Sequence, residues 1–149
     1  MKVTKQEYSK MTEKASPNSP IILNCLKAFL FGGGICALGQ ALLNGFKAMG
    51  LDKVSAGSAV SVSLVFLGAA LTALGLYEKI AKHAGAGTLV PITGFANSVV
   101  APAIEFKSEG YVLGLGAKMF IIAGPVIVYG TLASVIYGII YYVFSLFPL

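Results

Sequence analysis

GAGTLVPITGFANSVVAPAIEFKSEGYVLGLGAKMFIIAG, residues 85–124, is the stretch whose reading decides the fold. It is too apolar for an exposed loop, yet Pro91, Gly94, Asn97 and Pro102 break it too often for one clean spanning helix. Proline removes a backbone donor and clashes with the turn before it, so the run predicts discontinuous helix. Inside a bilayer, backbone groups freed in this way must be satisfied by protein or by a water-filled cavity. Transporters build their ligand sites on broken helices of this kind. The stretch is therefore read as the functional centre of a membrane protein. Thr93, Gly94 and Asn97 are candidate pathway residues, and Pro91 and Pro102 candidate hinges.

The rest of the chain agrees with a membrane setting. Of its 149 residues 56% are hydrophobic and 11% charged, against about a quarter charged in an ordinary soluble domain. The net charge of +5 comes entirely from lysine, with no arginine. Bidentate arginine forks dominate nucleic-acid recognition, so no nucleic-acid partner is expected. The lysines stand at the ends of apolar runs, where they act as topology signals. Cys25 and Cys36 are about 16 Å apart on a continuous helix, beyond disulfide reach. With His83 the only histidine, neither a metal site nor a cofactor is expected.

Residues 1–20 read as a basic tail on the cytoplasmic side, carrying Lys2, Lys5, Lys10 and Lys14 and closed by the prolines of SPNSP. Residues 21–149 read as one transmembrane domain. The first span, 21–49, would be about 43 Å long against a hydrocarbon core of about 30 Å. Tilt, or a break at Gly33, must absorb the excess. On a continuous helix Gly33, Cys36, Gln40, Asn44 and Lys47 share one face, and a polar stripe in lipid must meet other helices or water. In the second span, 55–76, Gly57, Ser61, Gly68, Thr72 and Gly75 form a narrow stripe of small residues suited to close helix packing.

Residues 77–87 read as a polar return loop. EFKSEG at 105–110 brings Glu105, Lys107 and Glu109 together. Without a nucleophile, metal ligand or oxyanion pattern nearby, they do not point to an enzyme. Gly124 and Pro125 divide the last apolar run into a short half, 111–124, and a span, 125–147, with proline in the first helical turn. Lys27–Gly39 also aligns without gaps on Lys118–Gly130, a hint of duplication. Charge bias puts the tail, the 77–87 loop and the 105–110 loop on one side, so that 88–104 dips in and returns. A full crossing of 88–104 would put EFKSEG on the other side. The expected fold is all-α: a polytopic membrane protein with three transmembrane helices plus a broken or re-entrant central helical segment.

Residues 85–130 resemble the signature region of the SpoVA membrane proteins of endospore-forming bacteria, in the SpoVAC/SpoVAEB branch. The resemblance implies a multi-pass subunit of a spore inner-membrane complex that works with other SpoVA subunits. It further implies movement of dipicolinic acid with calcium during spore formation and germination, through a channel responsive to membrane tension. Dipicolinate is a flat dianion, so a pathway for it needs positive potential without tight capture. Lys27 and Lys118 lie within apolar runs and are candidates for that role, alongside Gln40, Asn44, Thr93, Gly94, Asn97 and Glu105. The alternative for both lysines is snorkelling to the interface. No dense acidic cage is visible, so calcium would travel with its ligand. A homo- or hetero-oligomer in the lipid bilayer is expected. The competing reading is a non-conducting scaffold that assembles partner subunits.

Overall fold

A computed structural model describes residues 4–16 and 19–146. Lys2, Pro17 and Asn18, and residue 147 at the end of the last expected span, lie outside them. Every regular element among the described residues is helical. The helices are α1 (Lys5–Ala15), α2 (Ile21–Ala48), α3 (Lys53–Ala73), α4 (Tyr77–Ala84), α5 (Ala86–Leu89), α6 (Ile92–Glu105) and α7 (Ala123–Ser145). A 3-10 turn, Phe106–Glu109, and a π-helical turn, Tyr111–Gly116, link α6 to α7. Helices α2, α3 and α7 are each long and apolar enough to cross a membrane. The protein is an all-α, multi-pass membrane protein.

Helix α1 was absent from the sequence reading. Its signal is the capping box at Thr4–Glu7: the Thr4 hydroxyl accepts from the Glu7 N–H, and the Glu7 carboxylate accepts from the Thr4 N–H at 2.9 Å. Helix α2 runs unbroken through Gly33, so no hinge forms there. Both long helices end in the same device. After α2, Gly50 takes φ 92°, and Leu51 N–H donates to Phe46 O. After α3, Gly75 takes φ 66°, and Leu76 N–H donates to Leu71 O. These are Schellman closures, which need a residue that tolerates left-handed backbone. Gly75 therefore stops α3 and is not part of a helical stripe.

The short turn after α2 makes α2 and α3 an antiparallel pair, and Gly39 packs on Leu64 at the middle of α3. Helix α3 starts on Asp52, whose carboxylate accepts from the Val54 N–H at 3.0 Å and the Ser55 N–H at 3.3 Å. Hydrogen bonds from the Ser55 hydroxyl, then from the Ser55 and Val54 backbone, hold this carboxyl below its ordinary value. A depressed folded-state pKa stabilises above the unfolded value, and the contribution fades as pH falls through the folded one. Asp52→Ala should thus lower the melting temperature at neutral pH. The deficit should shrink on acidification below the ordinary carboxylate range, as thermal unfolding in detergent at several pH values would record.

The region read as a return loop is largely helix α4. Its Tyr77 and Ala84 are buried, while Glu78 and Lys82 form an exposed ion pair at 3.0 Å. Proline breaks the chain at Pro91 but not at Pro102, which sits buried in the last turns of α6. Gly124 and Pro125 fall in the first turn of α7, where a missing N–H costs nothing. The aligned stretches of the apparent repeat differ in form: 27–39 is continuous helix, whereas 119–122 is a turn.

Candidate functional site

Residues 85–105 form a helical hairpin set between α2 and α3. Its first arm rests on α2, where Gly87 meets the Ala28 backbone so closely that an added Cβ would lie 2.9 Å from Ala28 Cα. A Cβ on Gly32 of α2 would in turn lie 3.3 Å from Gly87 O. The second arm, α6, rests on α3. A Cβ on Gly68 would lie 2.8 Å from Thr93 O and 3.2 Å from the Ala96 methyl. One turn on, the Thr72 hydroxyl donates to Asn97 Oδ1 at 2.9 Å, sharing its hydrogen with Gly68 O at 2.7 Å. The contacts advance together along both helices, so α6 runs parallel to α3, towards the end where α2 begins.

This geometry makes the central element re-entrant. Thr93 lies beside Gly68, about 8 Å inboard of the last residue of α3. Pro91 borders a groove with Gly32, Gly33 and Cys36 of α2. Glu105 returns to the level of Gly75 and Glu78, on the side where α2 starts.

Two side chains and one backbone carbonyl hold the bend. A continuous helix would pair the Thr88 carbonyl with the Ile92 N–H, but the break at Pro91 removes that partner. Tyr77 supplies a replacement: its hydroxyl donates to Thr88 O at 2.7 Å and lies 3.1 Å from Thr93 Oγ1. Tyr77 is 4% exposed, and Thr88 and Thr93 are the buried polar residues among those described. Gly94 faces the Thr88 and Leu89 carbonyls with no room for a Cβ. An apolar cavity of about 240 Å³ lies behind this cluster, between α2 and α3.

Two open grooves flank the hairpin. One, of about 400 Å³, is lined by Thr72, Glu78, Asn97 and Glu105. The other, of about 440 Å³, lies between the start of α2 and the end of α4 and carries Asn24, Lys82 and His83. Glu78 of the first groove and Lys82 of the second form the ion pair described above, which lies between the two.

The structure therefore gathers Thr93, Gly94, Asn97 and Glu105 on α6, with Thr72 and Gly68 facing them from α3. Lys118 stands close by, its Nζ 5.3 Å from the centre of the Phe106 ring. Lys27 is half-buried on α2 and lines neither groove. Gln40 and Asn44 lie on the outer face of α2, bonded to each other at 2.9 Å. Of the remaining stripe on α3, Gly57 meets nothing within 4 Å, and the Ser61 hydroxyl donates to Gly57 O. The sequence analysis did not single out Tyr77, Thr88, Glu78, Asn24 or Lys82. Tyrosine two residues after a helix-stopping glycine and before a proline-broken run was the available signal for the first of these.

A family model described as SpoVAC/SpoVAEB sporulation membrane protein matches residues 24–140. The chain is 44% identical over 142 residues to stage V sporulation protein AC of Bacillus subtilis (strain 168), covering 95% of each chain. No solved structure matches it.

Proposed function

The chain belongs to the SpoVAC/SpoVAEB family of sporulation membrane proteins, and from that premise we propose that it is a channel subunit of the spore inner membrane. It passes dipicolinic acid, together with calcium, during sporulation and germination, in company with other SpoVA subunits. Membrane tension or a partner opens it. The observation that carries this reading is the re-entrant hairpin, whose two arms are flanked by open grooves. Dipicolinate brings two negative charges and calcium two positive ones, and the hairpin's surroundings offer both signs: Lys82 at one groove, Glu78 and Glu105 at the other, with Glu78 and Lys82 paired between them. A carboxylate-lined flank repels the bare dianion and tolerates the neutral calcium chelate.

A second reading, a membrane scaffold that conducts nothing, draws support from the single chain's shape. Its grooves are separate, and α7 beyond Gly124 is exposed along its length. Reconstitution distinguishes the two. Liposomes carrying the purified chain and loaded with calcium dipicolinate should release it on osmotic downshift, and retention at every tension short of lysis would favour the scaffold.

Within the channel reading, Lys118→Ala should slow dipicolinate efflux roughly fivefold, the size of about 1 kcal/mol of lost attraction, whereas Lys27→Ala, away from both grooves, should leave it unchanged. Unchanged flux in Lys118→Ala would remove that lysine from the pathway without touching the channel itself.

A further inference from the structure

Gln40 and Asn44 are in the wrong place for a monomer in lipid. Gly39 packs on Leu64 at the middle of α3. Helix α3 is about 32 Å long, the thickness of a hydrocarbon core. Gln40, next in sequence to Gly39, therefore lies near the bilayer midplane. Both amide side chains are exposed, on the side of α2 turned away from α3.

Each primary amide has two N–H donors and a carbonyl acceptor. The bond from Gln40 Nε2 to Asn44 Oδ1 at 2.9 Å uses one donor and one acceptor. Among the described residues, no other side-chain hydrogen bond reaches either amide. In a lone chain in lipid the Gln40 carbonyl, its second N–H and both Asn44 N–H groups would face hydrocarbon. Polar side chains in a span ordinarily avoid that by hydrogen-bonding across helices.

We propose that this face of α2 is a homodimer interface in the membrane, closed by the same two amides of a second copy. An amide is its own complement, since it offers donor and acceptor together. Two copies inserted in the same orientation, related by a two-fold axis along the bilayer normal, bring Gln40 and Asn44 of each against those of the other. Gly33, about two turns before Gln40 at the edge of the Pro91 groove, has nothing within 4 Å. It leaves room for the two backbones to approach. The interface does not depend on what the protein conducts.

Cys36 stands one turn before Gln40 and is exposed. In a Cys25→Ala chain reconstituted at low protein-to-lipid ratio, copper-phenanthroline oxidation should convert most of the protein to a disulfide-linked dimer through Cys36. A second probe, Ala37→Cys in a chain lacking both native cysteines, covers a different splay of the helices. Gln40→Leu with Asn44→Leu should reduce the dimer at least tenfold while leaving helical circular dichroism intact. If that double variant misfolds, the yield in the parent chain alone decides. A control cysteine at Val62→Cys, on a lipid-facing position that is 70% exposed, sets the level of random collision. Dimer at neither position 36 nor 37 above that level overturns the interface, as does cross-linking that survives intact in the folded double variant. Cross-linking only after another membrane protein is added would assign the face to a different partner and equally overturn it.

Discussion

Gly94→Ala is expected to unseat the hairpin. The new Cβ would press on the Thr88 and Leu89 carbonyl oxygens, which belong to backbone and cannot swing aside. Overpacking of this kind costs about 3 kcal/mol or more where the neighbour cannot yield. Thr88 is also held by Tyr77 and rests in the arm seated against α2 at Gly87 and Ala28, so the strain has no outlet. Thermal unfolding in detergent should show the loss directly. Gly138→Ala is the matched comparison, since that glycine is helical and meets nothing within 4 Å. It should be neutral in stability or gain up to about 1 kcal/mol. Equal losses for both variants would mean that residues 88–94 are not packed as described.

Tyr77→Phe is expected to loosen the same bend without changing its shape. The ring remains, but the Thr88 carbonyl loses its donor and the Thr93 hydroxyl its neighbour, both in a site sheltered from water. Leaving a buried polar group unpaired costs about 1–3 kcal/mol. Amide hydrogen exchange across 86–97 should then quicken roughly 5- to 150-fold, while α7, remote from the bend, exchanges as before. Exchange that is unchanged at 86–97 would show that the hydroxyl does not hold the bend.

Much of this architecture can be read from the residues, and the division has physical reasons. Spans register in sequence because some twenty apolar residues in a row have few other uses, and α2, α3 and α7 all carry that mark. The break at Pro91 registers too, since a proline acts on the turn next to it. Its neighbour Pro102 shows the limit of that rule: near a C-terminus the lost hydrogen bond falls where the helix is about to end. Pairings across the fold leave no local trace. Nothing near Tyr77 announces that its hydroxyl will meet Thr93, sixteen residues on, and nothing near Gly114 announces the Phe106 carbonyl against it. The candidate site was legible as a segment, with Thr93, Gly94, Asn97 and Glu105, but not as a set of contacts. Lys27 and Gln40 were drawn to it by chemistry alone, and the geometry places them elsewhere. Helix α1 is a different case, because its capping box at Thr4–Glu7 is a local signal that was open to reading.

The hairpin geometry has residues 88–105 enter and leave the membrane on one side. Cysteine accessibility decides this in a chain lacking Cys25 and Cys36, with single cysteines at Lys10→Cys in the tail and Ser108→Cys beyond α6. A membrane-impermeant maleimide applied to sealed, oriented vesicles should label both positions from the same face. Labelling of Ser108→Cys only from the face opposite to Lys10→Cys would mean that the segment crosses, and the re-entrant hairpin would be wrong.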